Sequence, residues 1–296
     1  MHQNAANVLY DNIISAIRVN KLTLPSQPDI AISLRNLNAE SAVTNDKIKE
    51  IIVQDPALTA RIIQVANSPL VRGSVGIDNL STAIGRLGIT FVISFCISLV
   101  MKQLYRAKRK IIAKKMQEAW DHACDVSAIS FVLAKHFKVG SPEEAMLGGL
   151  LHEIGILPIL TYAENMSDVF SFAQKYPDID RDLDLLENII EKYNMGLSEM
   201  ILNSWCFPEN IASVPMNLVK IDRIVKKADL IDIVLIAKIY ALGNKKHPLT
   251  EINKSDISAY ARLGLEPDVD LGRSIPQIQE AQDLFREKRY ARSKGH

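Results

Sequence analysis

The chain is poor in cysteine, with three among its 296 residues. Cys96, Cys124 and Cys206 lie far apart and form no CxxC pair, so the sequence indicates neither a zinc knuckle nor a disulfide framework. Such cysteine usage is typical of proteins in a reducing compartment. We therefore expect a cytoplasmic location, in agreement with first residues that lack a basic and then apolar signal pattern.

Long hydrophobic runs and an excess of one charge are also missing. The most apolar run, Ile89 to Met101, has 13 residues, whereas a membrane span needs about 20. We therefore expect this run to form a buried core helix and the protein to have no membrane association. Thirty-five basic and 34 acidic residues leave a net charge of +1, and 48% of the residues are hydrophobic. These values are typical of an ordinary globular protein.

Sustained alternation of apolar and polar residues, the pattern of β-strands, is absent. Apolar residues instead recur at spacings of three and four along most of the sequence, which predicts an all-α protein. Helix starts are marked by Ser141-Pro142 and by Asp55-Pro56, where a capping residue precedes a proline in the first helical position. The pattern excludes a parallel-sheet or Rossmann architecture.

Turn-rich breaks suggest how the helices are grouped along the chain. We expect an N-terminal helix within residues 1–21, followed by a helical domain at 22–245 and a helical C-terminal tail at 246–296. The domain is predicted to have two lobes, at about 24–101 and 116–245, with residues 102–115 as the joint between them.

Two stretches of the sequence carry a recognisable pattern. Residues 55–68 read DPALTARIIQVANS, and residues 149–155 read GLLHEIG. Together they resemble the HDOD family, the HD-related output domains of bacterial signalling proteins, and shorter matches extend the resemblance from Leu24 to Glu209. The resemblance implies a multi-helix HD-like fold, an incomplete metal site and a regulatory role, with a partner that acts in trans.

The same resemblance assigns candidate metal ligands. Related HD phosphohydrolases hold a divalent cation with a histidine, a His-Asp doublet and a distant aspartate, and the cation activates water for attack on phosphorus. His122, in the pattern Trp-Asp-His, corresponds to the first histidine. His152 and Glu153 correspond to the doublet, with glutamate in place of aspartate. The extra methylene is expected to move this carboxylate away from the position that an aspartate would give.

Other positions of the expected ligand set are also changed. The distant aspartate would fall near Lys238, and further histidines of metal-binding relatives would fall near Asn194, Leu218 and Val219. Asp121, Asp125 and Asp229 are candidates for the missing acid. Alternatively, His122 and His152 are hydrogen-bonded core residues, with Asp125 or Glu118 one turn from His122. A histidine on an apolar helix more often has such a structural role.

A basic segment at residues 102–115, KQLYRAKRKIIAKK, contains seven basic residues and no acid. It predicts an anion-binding or partner-binding surface, although a solvated helix face is the more common outcome of such a pattern. Nucleic acid is not the expected ligand, because the net charge is near zero and Tyr105 is the single aromatic residue in the segment. The candidate contacts are Arg106, Lys108, Arg109, Lys110, Lys114 and Lys115.

The changed ligand set favours a noncatalytic regulatory output module with a degenerate metal site. In this hypothesis the protein has no catalytic residue and no cofactor, and acts through a signalling protein in trans or a small regulatory ligand. The alternative is a divergent phosphohydrolase that uses His122, His152 and Glu153 to bind manganese, iron or magnesium. The sequence does not predict the oligomeric state.

Overall fold

The described part of the chain is helical, which confirms the all-α prediction. Within it there is no β-strand, and all three cysteines are free thiols. Of the predicted N-terminal helix, residues 11–15 are helical and the remainder lies outside the described part. The residues that the computed structural model describes are 11–15, 25–38, 43–71, 75–165, 179–245 and 247–286.

After residues 11–15, sixteen α-helices follow one another in the described ranges, with 3-10 turns at Lys102–Leu104 and Lys254–Asp256. The first eight are α1 (Asp29–Asn38), α2 (Asn45–Ile52), α3 (Pro56–Ala66), α4 (Leu80–Leu87), α5 (Ile89–Met101), α6 (Lys110–Phe137), α7 (Pro142–Leu151) and α8 (Ile156–Asn165). The others are α9 (Ile179–Ser204), α10 (Glu209–Ala212), α11 (Val214–Leu218), α12 (Leu230–Leu242), α13 (Pro248–Glu251), α14 (Ser258–Leu263), α15 (Leu271–Ser274) and α16 (Gln277–Phe285).

The two predicted helix starts are confirmed. The carboxylate of Asp55 accepts hydrogen bonds from the backbone N–H groups of Ala57, at 2.8 Å, and Leu58, at 3.2 Å. The hydroxyl of Ser141 accepts one from Glu144 N–H at 3.3 Å. In both places the capping oxygen satisfies N–H groups that have no partner inside the helix, and α3 and α7 begin at the following proline.

The apolar helices are core helices. Residues 91–98 of α5 are all buried, as the sequence predicts. Among the described residues, the stretch Pro142–Asn165 has the length and composition of a membrane span, as do α4 and α5 together if their bend of 109° is ignored. However, 83% of the apolar window in Pro142–Asn165 is buried. Core helices of globular proteins pass the same test, so this is weak support for a span, and the cytoplasmic location stays a prediction.

The chain forms two compact units that are interleaved along the sequence. The lobes predicted from the sequence are continuous stretches, whereas α6 and α7 each supply residues to both units. The assignment of residues 22–245 to one helical domain stays a prediction. The first unit comprises 1–27, 101–123 and 150–220, and the second comprises 28–100, 124–149 and 221–296.

In the first unit, α9 packs against α8, α10 and α11. The indole N–H of Trp205, just after α9, donates to the carbonyl oxygen of Pro25 at 2.9 Å. This hydrogen bond fixes the segment that precedes α1 against the end of α9. The first unit also contains His122, His152 and Glu153, and α9 contacts the turn that carries His152 and Glu153.

In the second unit, the C-terminal helix α16 is fixed by side chains from three other helices. Arg61 of α3 donates to the carbonyl oxygen of Leu284. The rings of Phe95 in α5 and Phe285 pack in a T-shaped arrangement with a centroid distance of 5.2 Å. Arg286, directly after α16, forms a two-pronged ion pair with the buried carboxylate of Asp125 in α6. The described part of the predicted C-terminal tail, residues 247–286, therefore contributes to the core of this unit.

Candidate metal centre

Three possible metal ligands from separate parts of the sequence lie together in the first unit. His122 is on α6, and His152 and Glu153 are in the turn between α7 and α8. Oε2 of Glu153 is 3.8 Å from Nε2 of His122 and 3.7 Å from Nε2 of His152. The ligand atoms of all three residues lie within 4.8 Å of one another. The structure thus brings together the three residues that the sequence predicts as metal ligands.

The separations between these atoms suit a shared cation better than direct hydrogen bonds. N–H···O hydrogen bonds in proteins are about 2.7–3.2 Å long, which is shorter than both imidazole–carboxylate distances here. Two ligands that each lie about 2.1 Å from one tetrahedral metal are about 3.4 Å apart, close to the observed 3.7 and 3.8 Å. Two imidazole nitrogens and one carboxylate oxygen therefore fit one divalent cation.

The three side chains differ in burial. The side chain of His152 is completely buried, whereas 11% of His122 and 21% of Glu153 is exposed. The imidazole rings are inclined at 58° with their centroids 5.8 Å apart, so they are not stacked on one another. Solvent thus reaches the cluster from the side of Glu153 and His122.

The turn that carries His152 and Glu153 is held tightly against α9. Gly155 N–H donates to the hydroxyl of Ser198 at 2.8 Å. A Cβ atom on Gly155 would lie 2.6 Å from the backbone nitrogen of Ser198, and nearer still to the carbonyl oxygen of Asn194. Glycine is therefore the residue that this approach of turn and helix requires. Nothing in the local sequence indicates a role for Ser198, which the sequence analysis missed.

The three aspartates considered for the missing ligand form hydrogen bonds or ion pairs with other side chains. Asp121 accepts a hydrogen bond from Gln117 at 2.8 Å. Asp125 pairs with Arg286, and Asp229 pairs with Arg223 at 2.6 Å while it caps α12. In the described part of the chain, the group of His, Cys, Asp and Glu side chains that could hold a metal contains His122, His152 and Glu153 alone.

Residues 24–217 match the sequence model of the HDOD domain. The chain belongs to the HDOD family. No curated protein matches the sequence.

Solved structures with the HDOD fold cover nearly the whole chain. A Shewanella amazonensis protein, provisionally named a metal-dependent phosphohydrolase, is 23% identical with a TM-score of 0.77, over 95% of this chain and 98% of that one. A Geobacter sulfurreducens HDOD domain protein of unknown function is 18% identical with a TM-score of 0.64, over 93% and 99%. A Marinobacter aquaeolei protein, provisionally named a signal transduction protein, is 14% identical with a TM-score of 0.61, over 97% and 66%. At these identities the likeness shows a shared fold.

The other positions singled out in this HDOD sequence lie in varied surroundings. Lys238 is buried within α12, and Asn194 is buried within α9. Leu218 is buried at the end of α11, whereas the next residue, Val219, is 58% exposed. Asn194 accepts a hydrogen bond from the hydroxyl of Ser198 at 3.3 Å, so it is connected to the turn beside the cluster.

The basic segment at residues 102–115 contacts acidic residues from other parts of the chain. The carboxylate of Glu164 accepts hydrogen bonds from the backbone N–H groups of Lys108 and Arg109, at 2.6 and 2.8 Å. Lys115 pairs with Glu187 at 2.7 Å. Lys114 lies 3.8 Å from Glu118, and Arg106 and Lys110 are exposed. A role of these basic residues in anion or partner binding stays a prediction.

Proposed function

We propose that this HDOD chain is a noncatalytic regulatory module that acts on a signalling protein in trans or responds to a small regulatory ligand. The observation that supports this proposal is the small number of protein atoms that could bind a metal ion. Among the described residues, three protein atoms converge, and the doublet expected to be His-Asp is His152-Glu153. Candidate acids such as Asp125 and Asp229 have arginine partners of their own.

We further infer, in place of the absence of a cofactor expected from the sequence, that the cluster holds one divalent cation. Imidazole and carboxylate together suit manganese, iron or zinc, whereas magnesium prefers oxygen ligands and water. His122 on α6 and the doublet on the turn would hold the ion from two sides, and a cation so bound would add to the folding stability by mass action. In a regulatory module this gives the cluster a structural or sensing role.

A divergent phosphohydrolase is the second candidate function. It is favoured by the same three converging donors, because catalytic metal sites commonly use three protein ligands and leave other positions open. A cation in such a site supplies Lewis acidity and lowers the pKa of a water ligand. The partial exposure of Glu153 would admit a phosphoester to this side of the cluster.

Hydrolysis of a general phosphoester substrate distinguishes the two functions. The experiment measures the turnover of bis(p-nitrophenyl) phosphate and of p-nitrophenyl phosphate with added manganese, iron or magnesium, for the parent and for His152→Ala. The regulatory proposal predicts the same background rate for both proteins. Turnover by the parent that His152→Ala abolishes would instead establish the phosphohydrolase.

A further inference from the structure

A short chain of hydrogen bonds runs from α9 to the turn that carries two of the three donors. Gly155 N–H donates to Ser198 Oγ at 2.8 Å, and Ser198 Oγ donates to Asn194 Oδ1 at 3.3 Å. Ser198 is completely buried and Asn194 is 2% exposed. The hydroxyl therefore accepts one hydrogen bond and donates another in a place without solvent to replace either.

The turn is closed by few hydrogen bonds of its own. Ile154 N–H donates to the carbonyl of Leu151 at 3.2 Å, and Ile156 N–H donates to that of Glu153 at 3.0 Å. The bond from Gly155 to Ser198 links this turn to a helix distant in sequence. A shift of Gly155 would move Glu153, two residues earlier, relative to His122 on α6.

We propose that Ser198, oriented by Asn194, is a positioning residue for the cation cluster. It holds Gly155 against α9, and thereby keeps the Glu153 carboxylate in reach of His122 and His152. The inference rests on the proposed binding of a cation. Asn194 lies near a position at which metal-binding relatives are expected to carry a histidine, and here it acts through Ser198.

The test is a titration with manganese(II) chloride, followed by calorimetry, of the parent and of Ser198→Ala. Residues that orient metal ligands typically affect metal affinity by about 10- to 100-fold, so we expect manganese to bind at least about tenfold more weakly to the variant. The control is Ser127→Ala. Ser127 is also completely buried, and its hydroxyl donates a hydrogen bond to the carbonyl oxygen of Met146 at 2.8 Å, which the substitution removes. It is expected to retain the parent's affinity.

A second readout separates failure of this inference from failure of cation binding. Amide hydrogen exchange at Gly155, and the ring NMR signals of His122 and His152, are measured without metal. The inference predicts faster exchange and shifted ring signals in Ser198→Ala but not in Ser127→Ala.

Equal manganese affinity in the parent and Ser198→Ala would overturn the inference and leave cation binding intact. If the parent binds no manganese, cation binding fails, and the NMR readout then decides the positioning role. Unchanged signals in Ser198→Ala would overturn that role, and changed signals would support it.

Discussion

Oε2 of Glu153 lies 3.8 Å from Nε2 of His122, although the first atom belongs to a turn and the second to the long helix α6. The sequence suggests that the extra methylene of glutamate would take the carboxylate away from the place of an aspartate. In the folded chain, the longer side chain still reaches both imidazole rings. The replacement is therefore compatible with a three-donor cluster.

Shortening this side chain is expected to weaken cation binding. Glu153→Asp withdraws the carboxylate by about 1.5 Å, the length of one C–C bond, so it no longer lies within reach of both histidines. Glu153→Gln keeps the length but removes the charge. We expect both variants to bind manganese at least about tenfold more weakly in calorimetry. Tighter binding by Glu153→Asp would show that the present backbone favours the shorter ligand.

Replacing Gly155 tests the close approach of the turn to α9. Gly155→Ala places a methyl group against the backbone of Asn194 and Ser198, and we expect it to lower the free energy of unfolding by about 1–3 kcal/mol. The matched control is Gly196→Ala, within α9, where a Cβ meets nothing within 4 Å. Alanine loses less backbone entropy than glycine when a helix forms, so this variant should raise the free energy of unfolding by about 0.5–1 kcal/mol.

Urea unfolding followed by circular dichroism measures both effects. Equal stability of Gly155→Ala and the parent would mean that α9 and the turn separate without cost. Close contact between Gly155 and α9 would then not be a requirement of the fold.

The helical class was predictable because local patterns carry it, whereas the three candidate donors came from the resemblance to the HDOD family. Helix starts at Pro56 and Pro142 follow from capping residues next to them, and the motif around His152 is contiguous. Ser198 was not predictable in this way, because a buried serine in a helix has no sequence signal of its own. Its role appears only when packing brings α9 to Gly155.

The interleaving of the two compact units has no local signal in the sequence, for a similar reason. The spacing of apolar residues along α6 is compatible with a helix, but does not tell which part of the helix contacts which neighbours. Asp125 illustrates this point. The sequence places it one turn from His122, as a possible partner or ligand, whereas the fold brings Arg286 from the far end of the chain to its carboxylate.

An ion-pair network in the second unit is expected to make stability depend on acid pH. Asp232 is completely buried between Arg223 and Arg262, with side-chain contacts of 3.0 and 2.7 Å. Burial raises the pKa of Asp232, but the hydrogen bonds from Arg262 and Arg223 outweigh it and hold this pKa below the usual range. The network therefore stabilises the fold above about pH 4, the usual pKa of aspartate, and this contribution is lost as the pH falls through the lowered pKa.

Asp232→Asn should remove that contribution. We expect a loss of about 3 kcal/mol at pH 7, since two arginines lose their buried partner, and a smaller difference from the parent at pH 3. Urea unfolding at pH 7, 4 and 3 measures this. Asp222→Asn, which alters an exposed aspartate nearby, is expected to match the parent throughout. A difference between the parent and Asp232→Asn that stays constant with pH would contradict the assigned pKa direction.

The central claim is that His122, His152 and Glu153 bind one divalent cation together. The most direct measurement is elemental analysis of protein purified without chelator, after exposure to manganese, iron or magnesium and removal of loosely bound ions. The account predicts about one equivalent of manganese or iron in the parent and a loss of metal in both His122→Ala and His152→Ala. A folded parent without bound metal, or variants that retain it, would contradict the claim.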